Sequence, residues 1–328
     1  VRIVVTGSLA YDYIMNFPGY FKDHILPDKV HMLSVSFLVD SMRRMRGGVA
    51  GNIAYTLALL GERPLVVATA GQDFGEYRAW MEQQGIDAAG IKLIDDEFTA
   101  SCFINTDKSN NQIVAFYTGA MAQSKHLSLL NFGLGAGDLV IISPTDPEAM
   151  SRYAEECRTH GIPFLFDPGK QTPRLDSEQI LAGLTGASVL VGNDYEFGML
   201  AQKTGKSEAE LIASAPLTVV TRGEEGSIIY TSQTNGQGLH IPVAPIADVV
   251  DPTGAGDAYL GGLVFGLARG FPLEVTGRVA ALAATYAIEH RGGQEHTYTL
   301  AAFAERYVAA FGATVEIETL AASEGVKG

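Results

Sequence analysis

Short apolar, β-branched runs recur along the chain between longer stretches with helical spacing. RIVVTG from residue 2, LVVATAG from 65, LVIIS from 139, PFLFDPG from 163, SVLVGN from 188 and LTVVTRG from 217 all have strand length. Continuous apolar strands alternating with helical segments predict a parallel sheet flanked by helices, the doubly wound α/β class. Between the first two, NIAYTLALLG places Ile53, Leu57 and Leu60 on one helical face and stops at Gly61, as a helix with a core stripe and a C-terminal glycine does. Two stretches, 12–42 and 97–120, break the rhythm. In the second, FTASCFINTDKSNNQIVAFYT reads as two strands around a polar turn. Paired, the insertions would form a small β-sheet lid over the strand ends and leave a crevice beneath it. The core would then comprise 1–11, 43–96 and 121–328. The tail after Phe311 is expected to be loosely held.

Composition narrows the partners. The chain has 328 residues, 47% of them hydrophobic and 18% charged, enough for one large core with an appendage. Its formal charge of -14 would repel nucleic acid and anionic membranes, so any phosphate chemistry must be arranged locally. The two cysteines, Cys102 and Cys157, make neither a disulfide framework nor a zinc spacing. The opening VRIVVTGSLAYDY lacks the pattern of a signal peptide, and no apolar run reaches the ~20 residues of a spanning helix. A cytoplasmic location is expected.

The tetrapeptide GAGD occurs at 135–138 and again at 254–257. The first copy leads straight into LVIIS, so its glycines make a turn entering a strand. The second leads into AYLGGLVFGLARG, with Gly270 and Pro272 beyond, which reads as a helix opening on the glycines. Gly254 and Gly256 let backbone N–H groups converge there, and the helix dipole adds roughly half a positive charge, so this copy can bind an anion. Asp257 beside that nest is either a first-turn acid favoured by the dipole or a base for a hydroxyl proton.

Two signatures decide between those readings. VVDPTGAGDAYLGGL, Val249 to Leu263, and RGGVAGNIAYTLALLG, Arg46 to Gly61, with NDYE at 193–196 and TRGEEG at 221–226 between them, resemble the ribokinase-like (phosphofructokinase B) family of sugar and nucleoside kinases. The resemblance covers nearly the whole chain. It implies Asp257 as catalytic base, Gly254, Ala255 and Gly256 as anion hole, and ATP with Mg²⁺ as cofactors. Asn193 and Glu196 would organise Mg²⁺ and its waters, although their spacing equally permits a helix capping box. Thr221, Arg222, Gly223 and Gly226 would line the nucleotide site, and Val243, Pro245, Ala284 and Ile288 an apolar adenine slot. A monovalent cation in relatives lies near positions matching Asp251, Thr253, Gly292 and His296; potassium dependence stays open. At the acceptor end the resemblance implies Asp12, Gly47, Gly48 and Asn52 as sugar contacts.

The insertions bear on the substrate. FYTGAM, 116–121, and NFPGYFKDHILPD, 16–28, look most like bacterial nucleoside and adenosine kinases within the family. Phe37, Phe103, Phe116 and Met121 would clamp a base, with Asn16 also in reach, although aromatic residues in a small sheet also form its own minor core. The expectation is ATP-dependent phosphorylation of a nucleoside 5'-hydroxyl. The alternatives are a sugar kinase acting on ribose or a hexose, and a nucleoside-binding protein without turnover. A homodimer through the lid also stays open. A nicotinamide dehydrogenase is set aside because TGSLAYD lacks the G-x-G-x-x-G turn. TGKS at 204–207 is no P-loop, because Leu200 stands where the first glycine belongs.

Overall fold

The computed structural model describes residues 1–25, 31–32, 34–232 and 236–322. In chain order the strands are β1 (Ile3–Thr6), β2 (Ala10–Asn16), β3 (Ser41–Gly47), β4 (Leu65–Gly71), β5 (Ile91–Ile94), β6 (Ala100–Thr106), β7 (Gln112–Tyr117), β8 (Leu139–Ile142), β9 (Phe164–Phe166), β10 (Val189–Asn193), β11 (Leu217–Thr221), β12 (Ser227–Thr231) and β13 (Leu239–Ile241). The helices are α1 (Val49–Leu59), α2 (Gly75–Gln83), α3 (Pro147–Thr159), α4 (Ser177–Leu184), α5 (Asp194–Thr204), α6 (Glu208–Ile212), α7 (Ala255–Ala268), α8 (Leu273–Ile288), α9 (Leu300–Phe311) and α10 (Val315–Ala322).

Nine strands form the central sheet in the order β13-β12-β11-β10-β9-β8-β1-β4-β5. The pairs from β5 to β11 are parallel and the β11-β12-β13 edge is antiparallel. Apolar residues of both strand faces are buried, those of one under α1, α7 and α8 and those of the other under α3, α4 and α5, as parallel sheets require. Strand order reverses between β1 and β8, where the chain after β1 and the chain after β8 leave in different directions and open a crevice at the carboxyl ends. All six apolar runs of the sequence form strands here. The short β5 and the antiparallel edge strands are additions to that pattern.

The small sheet runs β3-β2-β6-β7. β3 carries it to Gly47, past residue 42, because each residue of Ser41–Gly47 pairs with β2. Residues 26–30 of the first insertion lie outside the described residues. The polar turn between β6 and β7 is tied by Asp107, whose carboxylate accepts from Ser109 N, Asn111 N and Phe21 N. One expectation fails: the chain after Phe311 forms α10 and buries Ile317 and Leu320, since two apolar residues three apart share a helix face.

α7 is apolar nearly all round and buried between α1 and α8, as such a helix must be. It approaches its neighbours through glycine. A Cβ at Gly262 would stand 2.7 Å from Ala280 Cα of α8, and one at Gly261 would stand 2.8 Å from Thr56 Cβ of α1. Close backbone contact on two sides fixes where the N-terminus of α7 points.

Candidate active site

The two GAGD copies differ as their contexts predict. The first makes the turn into β8, where Asp138 accepts from Gly135 N at 3.0 Å and pairs with Arg2. The second caps α7: Gly254 takes φ +79 and Asp257 stands in the first turn. A φ in that range favours glycine.

Two cavities meet at Asp257. One, of about 230 Å³, is walled by Gly254, Gly256, Asp257 and Thr253 with Asp167, Lys170, Asn193, Glu196 and Thr221 from the ends of β9 to β11. The other, of about 360 Å³, lies under the small sheet and is walled by Asp12, Gly48, Asn52, Phe116, Met121 and again Gly254 and Asp257. A third cavity, of about 350 Å³, continues from the first past Gly223 and Gly226 to Val243, Ala284 and Ile288. Its lining is mostly aliphatic, which suits a planar heteroaromatic base.

Asp257 is part-buried at the junction, and desolvation pushes its carboxyl up from 3.8 to about 6; donation from Asn52 and the charge of Lys170 pull it down, and Glu196 pushes it up. Asn52 Nδ2 donates to Asp257 Oδ2 at 2.7 Å. Asp12 is likewise raised by burial to about 6, with Lys170 opposing and the Asp251 and Asp257 charges adding. Gly47 lets the Asp12 carboxylate lie against its backbone, because any Cβ there would meet Asp12 Oδ2. Burial also raises Glu196, and it raises Asp167 far more, with Glu196 and Asp257 adding. Asp167, Glu196 and Asp257 thus crowd one cavity, with Asp12 in the next.

Asn193 and Glu196 form the capping box that their spacing allows, each accepting from the other's amide at 2.8 Å. That uses Glu196 Oε2 and leaves Oε1. With Asp167 opposite, the lining offers hard oxygen donors, which fit Mg²⁺ held through water and phosphate rather than by an all-protein cage. Asp251 joins the loops expected around a monovalent cation, accepting from Thr253 N and Gly292 N at 2.9 Å.

Several expected contacts are not brought together. Phe103 alternates with Cys102 and Ile104 along β6, so those two face the cavity while Phe103 stacks on Tyr13 at 4.8 Å on the other face. Phe37 packs on Phe21 and Phe17 at 4.8 and 5.1 Å in a minor core. Asn16, at the far end of β2, donates to Ser41 Oγ at 2.9 Å. Arg222 and Pro245 are not among the cavity walls; Pro245 is exposed and its carbonyl accepts from Arg306. The His296 ring is buried against Tyr55 and Tyr298, and its carbonyl accepts from the Tyr55 hydroxyl at 2.6 Å. Ala255 lines the third cavity with Gly256.

A family model described as the pfkB family carbohydrate kinase matches residues 2–299. The chain belongs to that family. It is therefore a phosphotransferase with an alcohol group as acceptor. A nucleoside kinase of Methanothermobacter thermautotrophicus is 31% identical over 313 residues, 94% of this chain and 96% of that protein. The Burkholderia thailandensis nucleoside kinase in complex with inosine superposes with a TM-score of 0.81 at 36% identity, covering 95% of this chain and 99% of that one. A ribokinase of Thermotoga maritima shares the fold, with a TM-score of 0.78 at 20% identity and coverage of 94% and 99%.

Within this pfkB member, sequence reasoning missed Lys170, Gln171 and Arg174, which wall the cavity under the small sheet, and Tyr259 and Thr285 beside the aliphatic slot. Lys170 lines both cavities that meet at Asp257, and its charge acts on Asp12, Asp257 and Glu196 alike. A signal was present. DPGKQ follows a buried strand directly, and residues at strand carboxyl ends line the crevice of such sheets.

Proposed function

We propose that the protein transfers the γ-phosphoryl group of ATP to the 5'-hydroxyl of a nucleoside, adenosine or inosine being the first to try. The observation that carries this reading is the Asp257 carboxylate at the junction of two cavities, beside the N-terminus of α7. Asp257 takes the proton of the attacking hydroxyl, whose oxygen bonds to the γ-phosphorus as the bond to the β-phosphate oxygen breaks and ADP leaves. Backbone N–H groups of Gly254, Gly256 and Asp257 and the Lys170 ammonium stabilise the charge on the migrating group, the Ala255 N–H being bonded to the Pro252 carbonyl at 3.2 Å. Bound Mg²⁺, held through water by Asn193 and Glu196, would spread the charge of the β- and γ-phosphates.

Asp12 accepts from two sugar hydroxyls and so orients the third toward Asp257. Phe116, Ile104 and Met121 give the cavity an apolar end that a free pentose does not need, and the nucleoside kinases among the relatives agree with that reading. The adenine of ATP occupies the aliphatic slot by Val243, Ala284 and Ile288. The test is transfer of labelled phosphate from ATP to a nucleoside panel, with ribose and fructose 6-phosphate alongside. Transfer to nucleosides is the expected result. Transfer only to free sugars would replace nucleoside by sugar, and binding without transfer would leave a silent nucleoside-binding protein.

A further inference from the structure

A buried chain of polar groups, with Tyr77 and Gln294 outside the residues assigned so far, ends on Asp257. The Tyr77 hydroxyl donates to the Gly47 carbonyl at 2.9 Å. Gln294 Nε2 donates to the Tyr77 oxygen at 2.6 Å and to Asn52 Oδ1 at 2.8 Å. Asn52 Nδ2 then donates to Asp257. Tyr77, Gln294 and Asn52 are 1%, 2% and 5% exposed, so water does not compete for these bonds.

The direction of the chain is set at its start. A backbone carbonyl only accepts, so with the Tyr77 proton on Gly47 whatever faces the hydroxyl oxygen must donate, which leaves Gln294 Oε1 buried without a partner among the described residues. That requirement turns the Gln294 nitrogen inward, the Asn52 oxygen toward Gln294, and the Asn52 nitrogen toward Asp257. With the Asn52 amide reversed, a carbonyl oxygen would face the carboxylate. Glycine makes room for the chain: a Cβ at Gly293 would lie 2.6 Å from Asn52 Cγ, and one at Gly51 would lie 2.8 Å from Gln294 Nε2.

We propose that Tyr77 and Gln294 are positioning residues that hold the Asn52 amide with its N–H toward Asp257 and so keep that carboxylate ionised for proton acceptance. This rests on the reading of Asp257 as the base. Donation to a carboxylate favours its charged form, and here it counters the effects of burial and of Glu196, in the same sense as Lys170. Asp12 and Asp167 also face Asp257, while Arg46 and Asp12 act on Tyr77.

The experiment is the pH dependence of kcat/KM for adenosine with ATP in the wild type, Tyr77→Phe and Gln294→Leu, with melting curves for all three. Tyr77→Phe removes a single oxygen and guards against a folding defect in Gln294→Leu. The acidic limb is expected to move upward by about one pH unit in both variants, a tenfold loss below the limb with near-normal rates above it. A wild-type limb that stays in place while both variants lose activity equally at every pH would overturn the proposal and leave Asp257 as base. Absence of any acidic limb in the wild type, with an active Asp257→Asn, would remove the base and this proposal with it.

Discussion

Asp257→Asn separates catalysis from stability. The carboxyl is raised from 3.8 to about 6, chiefly by burial, so the folded protein holds its proton at pH values where the unfolded chain has already lost it. Folding is therefore penalised progressively from about pH 4 to pH 6, and the full penalty stands above that. At about 1.4 kcal/mol per pH unit, a shift of roughly two units costs up to about 3 kcal/mol. The asparagine removes the charge, and its amide oxygen still accepts from Asn52. Per-residue unfolding entropies make 3 kcal/mol worth about 4 °C in a chain of this length. The ligand-free variant is expected to melt about 4 °C above the wild type at pH 8 and level with it near pH 4, while kcat for phosphoryl transfer falls roughly 10²- to 10⁴-fold. Equal melting at pH 8 would refute a carboxylate destabilised by desolvation. Near-normal turnover would refute the base.

Asp12→Ala is expected to weaken nucleoside binding by about 10- to 100-fold, the loss of hydrogen bonds to a charged acceptor, with a smaller change in kcat; calorimetry that finds unchanged affinity removes the sugar contact. Phe116→Ala should raise KM for a nucleoside several-fold, whereas Phe103→Ala, on the outer face of β6, should not, and equal effects would show that the register argument does not describe binding. Gly262→Val should destabilise the protein by about 2 kcal/mol or more in urea titrations, because the added carbons meet the α8 backbone with no flexible atom to give way. A wild-type midpoint would mean that α7 and α8 can separate freely.

Strand runs were legible because parallel strands are apolar on both faces, and the N-terminus of α7 because glycines precede a helical length of apolar residues. The same pattern left Asp257 open between a first-turn acid and a base, and only the family signatures singled it out. The cover was legible only as strands. Which of Phe103 and Phe116 faces inward depends on the pairing of β6 with β2 and β7, and one residue of register reverses the answer. Phe37 was hidden because its partners Phe17 and Phe21 come together only in the folded insertion. Arg222 shares a turn with two cavity-lining glycines, yet adjacent residues of a tight turn point apart. Gln294 and Tyr77 are separated by 217 positions, and no local pattern marks a contact of that range.

The two cavities share Lys170, Gly254 and Asp257 but differ in their outer walls. The helix that presents Asp257 is clamped by glycine contacts to α1 and α8, whereas the far wall of the acceptor cavity hangs on alternate residues of β6 and β7. On the proposed function, substitution at 102, 104 or 116 would reshape which alcohol is admitted while the frame around Asp257 keeps its shape. A lineage built this way can exchange one acceptor for another by surface tinkering on a four-stranded flap.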